Sequence, residues 1–211
     1  MSEFGYITES PEQSFNNNSG IFTPKDIYNL TILDKYTNYG QLELLQTLTV
    51  SNASPEFTTV LDVANYNVHF FTISDVHIGS QTEFGYRLSN DGGTSYETGY
   101  EFASTRRIAD NGHAERKSTG QNSARLCGDI DEDAHSLANG ILYLYNAGDS
   151  TKFTFSTSHM VFSDFQDLGA TEFGGQVYNH AELVNGIKFG AGTDVTALTS
   201  ATISVYGLKV Y

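Results

Sequence analysis

The chain of 211 residues has one cysteine, no tryptophan, three prolines and only 11 basic residues. A single thiol, Cys127, excludes an internal disulfide framework and any multi-cysteine zinc site. Eleven bases against 25 acids leave a net charge of −14. That balance argues against nucleic-acid binding, because a surface that tracks phosphates needs a basic field. No apolar run approaches the ~20 residues of a membrane helix, so no membrane insertion is expected. Residues 1–22 have no basic start followed by an apolar stretch, so no secretory signal is expected either. Nucleophile-elbow, Walker-loop and HExxH spacings are missing. So are a βαβ rhythm and a repeat of fixed period, which argues against doubly wound folds, propellers and solenoids.

What is present is a β palette. Only 17% of residues are charged while 13% are aromatic. Some ten short alternating segments between residues 41 and 211 are separated by Gly, Asn and Asp. This predicts an all-β, antiparallel β-sandwich of jelly-roll type. Asn90-Asp91-Gly92-Gly93 reads as a hairpin turn joining a strand over 82–89 to one over 96–104. The last segment, TISVYGLKVY, reads as a strand locked into a sheet, with a phase change at Gly207 that suggests a bulge. The single helix signal is Thr23-Pro24-Lys25-Asp26, a cap followed by proline and an early acid. It predicts about 10 to 14 helical residues, with Ile27, Leu30 and Leu33 on one side. Residues 1–40 therefore read as an arm with one short helix. Its Phe4, Tyr6, Ile7 and Phe15 order either against a partner subunit or against the chain's own domain.

The segment GDIDEDAH places Asp129, Asp131 and Asp133 at alternate positions, a weak Ca²⁺ candidate. It fails as an EF-hand loop: Ala134 stands in place of the glycine and Gly140 in place of the bidentate glutamate. A solvated acidic loop is the plainer reading. His69 and His77 lie eight apart in one strand, on one face unless a bulge intervenes, and read as structural. Glu83, Glu97 and Glu101 could supply a glycosidase pair, as acids on any sandwich of this size could. Arg106, Arg107, Arg116, Lys117 and Arg125 gather five of the eleven bases into residues 106–125. That stretch reads as a long loop around a poor strand. It is either an exposed mixed surface or an interface that pairs with the acidic segment of a neighbouring copy. Tyr96, Tyr100, Phe102, Tyr143 and Tyr145 could stack on sugars, anchor a protein interface, or sit in the core.

Three stretches carry a family resemblance. SNDGGTSY between two strands, the hairpin ILYLYNAGDSTKFTFS, and NGIKFGAG followed by TSATISVYGLKVY resemble a β-sandwich module of tailed-bacteriophage structural and tail-fibre proteins. The resemblance covers about residues 44–211. The family's usual tryptophans are absent, and residues 106–125 do not map onto it. It implies a non-enzymatic virion component, made in the host cytoplasm, with no cofactor and no catalytic residues. The resemblance itself does not separate tail from head; within the virion reading a tail fibre or fibre-attached protein is preferred to a head decoration (cement) protein. The implied partners are other virion proteins, sister copies (a trimer ahead of a monomer) and a cell-surface glycan. The arm, with Phe4, Tyr6, Ile7, Phe15, Ile27 and Leu30, and the bases Arg106, Arg107, Arg116 and Lys117 are the expected interface residues. The rival classes are a free carbohydrate-binding module and a glycan hydrolase.

Overall fold

The computed structural model describes residues 13–14, 17–18, 23–33, 42–58, 61, 64–110 and 112–208. The chain divides into two units, Met1–Gln41 and Leu42–Tyr211. In the first, β1 (Gln13–Ser14) pairs with β2 (Asn17–Asn18), and α1 (Pro24–Ile32) follows. The helix starts where its capping chemistry dictates. The Thr23 hydroxyl accepts from the Asp26 N–H, and the Asp26 carboxylate accepts from the Thr23 N–H at 2.9 Å. The Thr23 hydroxyl, hydrogen-bonded to Asp26, holds that carboxyl below its ordinary pKa. The helix is nine residues long, shorter than expected. Leu30 is its only buried residue and Ile27 is half-buried, while Leu33, expected beside Leu30, is exposed. Phe4, Tyr6, Ile7 and Phe15 lie outside the described residues.

The second unit runs through β3 (Leu42–Ala53), β4 (Glu56–Phe57), β5 (Val68–His77), β6 (Thr82–Ser89), β7 (Tyr100–Ile108) and β8 (His113–Gln121). It continues through β9 (Ala124–Ile130), β10 (Ala138–Tyr145), β11 (Thr154–Ser163), β12 (Gly169–Tyr178), β13 (Gly186–Ala191) and β14 (Leu198–Leu208). An eight-stranded sheet has the order β3-β14-β5-β10-β11-β12-β7-β8, and a four-stranded sheet the order β4-β13-β6-β9. All pairings are antiparallel and four of them are nested. β6 pairs with β9, β5 with β10, β4 with β13 and β3 with β14. This is one long hairpin rolled up so that its successive segments alternate between two sheets, which is a jelly roll. Two hairpins are inserted into it. β7–β8 enters between β6 and β9, and β11–β12 between β10 and β13. Both widen the large sheet beyond β10.

Aromatic side chains fill the space between the sheets. Phe57, Phe71, Phe84 and Phe189 are fully buried, and the Phe71 and Phe189 rings meet edge to face at 5.4 Å. Ile73, Leu142, Leu144, Ile203 and Val205 of the large sheet face Leu88, Leu126 and Ile187 of the small one in the same core. The inserted part is different. β11 alternates through ten residues with Thr154, Ser156, Ser158, Met160 and Phe162 inward. The Ser156 and Ser158 hydroxyls are held in a buried network, while that of Thr154 is buried without a partner among the described residues. The Tyr86 hydroxyl bonds Ser156 at 2.8 Å, Ser156 donates to Gln176 Oε1, and Gln176 Nε2 donates to Ser158 and to the Arg125 carbonyl. A buried polar network is stable only when its members are satisfied in this way.

Four expectations change. The Asn90–Gly93 turn is not a hairpin: β6 and β7 belong to different sheets, and the loop carries the chain across the sandwich. Its glycines still do what the motif requires, with φ of 72° at Gly92 and 89° at Gly93. At Gly207 the alternation does not flip. Gly207 takes the inward position because a Cβ there would lie 2.5 Å from the Tyr66 ring, and Leu208 points outward. The bulge is on β3 at Leu45, opposite Val205 and Tyr206. In β5 an extra residue at Asp75, with φ of 55°, puts His69 inward and His77 on the other face. Residues 106–125 are the paired strands β7 and β8 plus the start of β9, not a loop. Mixed, charge-rich strands hide from a hydrophobic pattern because packing decides their conformation.

The crossing loop is organised by Asp91. Its carboxylate accepts from the Ser95 N–H and hydroxyl and from the Ser89 hydroxyl. The Ser95 side chain, then the Ser95 N–H and Ser89, hold its pKa down to about 2. A depressed carboxylate contributes stability that is fully present above its unfolded pKa of ~3.9 and is lost as pH falls through the folded value. Asp91→Ala is expected to lower Tm at pH 7, and the gap between the two proteins should close near pH 2. Thermal melts across that range check it; a gap independent of pH would remove Asp91 ionisation from the account.

Candidate functional site

β9 ends over the inserted strands, and there the chain buries charge. Arg106 projects inward from β7 and is 1% exposed. Its guanidinium contacts Asp129 and, at 3.0 Å, the fully buried Asp164. Arg116 of β8 reaches the same Asp129 oxygen. Asp164 also accepts the N–H groups of Gln166 and Leu168, which closes the turn between β11 and β12. The Phe162 ring lies under the Arg106 guanidinium at 5.5 Å. Directly opposite Arg106 in the ladder is Glu172, fully buried, whose carboxylate accepts from the Ser104 hydroxyl. Arg125 pairs with Glu83 at 3.1 Å and lies flat on Gly128, where a Cβ would overlap the guanidinium. Cys127 is enclosed among these groups; burial, then the Glu172 charge, push its thiol well above the ordinary value. A thiol kept protonated in this way is a poor nucleophile.

One of the two readings of the basic stretch paired it with the acidic segment of a neighbouring copy. Arg106 and Arg116 instead meet Asp129 within one chain. Arg106, expected at an interface, is core. Arg107 and Lys117 remain exposed on β7 and β8. The acid cluster also differs from the sequence triplet. Asp129, at φ 57°, turns to the arginines, while Asp131, Asp133 and Asp167 bring carboxylate oxygens within 4.8 Å of one another. Burial pushes the Asp131 carboxyl up. The hydrogen bonds it accepts from Asp167, from the Glu132 and Asp133 N–H groups and from Ser136 outweigh that and leave it below the ordinary value. Asp167 is raised, first by its hydrogen bond to Asp131 and then by the Asp131 charge. Three such oxygens are the donor type that hard cations take.

Of the tyrosines singled out, Tyr100 is buried and its hydroxyl accepts the Leu88 N–H. Tyr96 is half-buried beside Lys188, and burial followed by the Glu56 charge raises its pKa to about 12. Only Tyr143 and Tyr145 face outward from the large sheet; their rings stack at 6.3 Å. Of the glutamates, Glu83 pairs with Arg125 and Glu101 accepts from Asn179. The partners that the sequence reading missed are Asp164, Glu172 and Asp167. Nothing local marks them; they join the cluster through the register of β11, β12 and β7.

Comparison with protein-family models, with curated proteins and with solved structures returned no match. Among the described residues, no helix is long and apolar enough to cross a membrane.

Arg106→Met is expected to cost about 3–5 kcal/mol, because it leaves Asp164 buried without its cation. A urea midpoint shift checks this; a neutral result would mean Asp164 neutralises or rehydrates freely. Asp167→Asn keeps a donor to Asp131 and removes a charge from the pair. In calcium-free buffer at pH 7 it should raise Tm, and the gain should fade as pH drops and Asp167 protonates. A lowered Tm at pH 7, read by calorimetry, would contradict the repulsion assigned to this pair.

Proposed function

We propose that the chain is a non-enzymatic structural protein of a tailed-bacteriophage particle, a tail fibre or fibre-attached component. Residues 1–41 serve as the attachment segment and the jelly roll is displayed. The observation that carries this reading is where the family-like stretches fall. SNDGGTSY is the crossing from the small sheet to the large one, and ILYLYNAGDSTKFTFS is the β10–β11 hairpin. NGIKFGAG holds β13, and the final stretch contributes Ala201 to Leu208 of β14; these are the two strands that close the roll. The motifs therefore coincide with the topology rather than with dispensable loops. Jelly rolls recur in particle-forming and sugar-binding proteins, which makes the fold compatible with the reading without implying it. The part played by the acids agrees with it as well: Asp129, Asp164 and Glu83 are ion-paired to arginines as structural partners.

Attachment through many modest contacts gives avidity that single contacts lack. The test is incorporation. Tagged full-length chain, supplied during infection, should co-purify with density-banded particles. A chain lacking residues 1–41 should be absent from them while keeping its far-UV circular dichroism per strand residue. Exclusion of the full-length chain from particles, together with sugar binding by the isolated protein, would replace this reading with a free carbohydrate-binding module.

A further inference from the structure

The outer face of the large sheet is built unlike the rest of the molecule. Across β3, β14, β5, β10, β11 and β12 the outward positions carry no Asp, Glu, Lys or Arg except the exposed Asp75 at the β5 bulge, on a chain of net charge −14. The ladder registers line them up in rows. One row runs Leu44, Tyr206, Phe70, Tyr143, Thr157 and Gly175. The next holds Leu208, Val68, Tyr145, Phe155 and Val177. Further along, the rows turn to Thr and Ser, with Thr49 and Thr202 bonded side chain to side chain at 3.1 Å.

At several positions of the β11–β12 hairpin the usual amphipathic order is reversed. Ser156, Ser158, Glu172 and Gln176 point into the sandwich, while Phe155, Val161 and Phe173 point out and are 43%, 55% and 50% exposed. An ordinary solvent face does the opposite. Contiguous apolar surface of this kind marks a contact. Six strands at about 4.8 Å spacing and about 27 Å of strand length give a face of about 800 Å². That is about what one partner contributes to a stable standard interface.

We propose that this face packs against a second copy of the same chain. The absence of charge selects that occupant. In a two-fold contact the patch meets itself, so any net charge on it would meet its own sign. A partner of different charge could be recognised by complementary ions, and apart from Asp75 this face offers none. An acidic chain that self-associates must do so where it is uncharged, with its remaining charges screened beyond about 8 Å at physiological salt. The proposal concerns the purified chain alone and stands whether or not the particle reading holds.

The experiment is the mass of the full-length protein by light scattering over a concentration series, with two single variants. Thr157→Glu puts a charge at the centre of the face, and Phe173→Glu does so at an independent exposed position. Gln81→Glu adds the same charge off the face. The expected result is an assembly of two or more copies for the wild type and for Gln81→Glu. The two face variants should fall to the mass of one chain, with unchanged circular dichroism. Wild-type protein that is monomeric throughout overturns the proposal. Face variants that keep the wild-type mass overturn it equally.

Discussion

The second half of the roll has to enter the first half between strands that already need partners. β14 sits between β3 and β5, and β13 between β4 and β6. Neither sheet is complete until both late strands arrive. Two-thirds of the chain therefore separates β14 from the strand at whose side it ends. Non-local pairing of this kind delays the return on loop closure and makes folding slow. It also explains the apolar inward run of Ala201, Ile203 and Val205 at the late end of the chain, all buried between the sheets. Gly207 belongs to the same constraint, since the Tyr66 ring occupies the space its side chain would need.

The inserted hairpins create a second problem. They widen the large sheet past the four strands that cover it, so part of its inner face lies under β9 alone. Apolar packing gives way there to hydroxyls, an amide and ions. Arg106 joins β7 to the β9 end and to the β11–β12 turn, because one guanidinium can serve two carboxylates at fixed angles. Such a cluster contributes little net stability against an apolar replacement, but it penalises any wrong register that strands one of its charges. The cost of this inner polarity is met on the other side of the same strands. Phe155 and Phe173 turn outward on the strands whose inward positions include Ser156, Ser158, Glu172 and Gln176.

On the self-association proposed above, the nearly uncharged face is the part of the surface that meets a copy of itself, and the acidic remainder is the part that repels it. That division suits a protein that works by repeated assembly. The acid cluster at Asp131, Asp133 and Asp167 lies in connections between strands, where jelly rolls vary most freely.

By itself the sequence determined the all-β class, the positions of most strands and the helix cap. These rest on period, turn residues and local hydrogen bonding, which are properties of neighbouring residues. Asn90–Gly93 was legible as a turn but not as a crossing, since backbone dihedrals are local and sheet membership is not. His69 and His77 were legible as strand residues, but their faces depended on one inserted residue at Asp75. The β11 alternation was visible in full, yet which side faced inward was not. Ser156 and Ser158 become interior only because Gln176 and Tyr86 arrive from other strands to satisfy them. Arg106 read as surface for the same reason: a charge is interior only where its partners are, and Asp129 and Asp164 reach it through strand register alone. The tertiary structure decided which polar residues are core and which apolar ones are left outside, because burial is set by long-range pairing and composition carries no record of it.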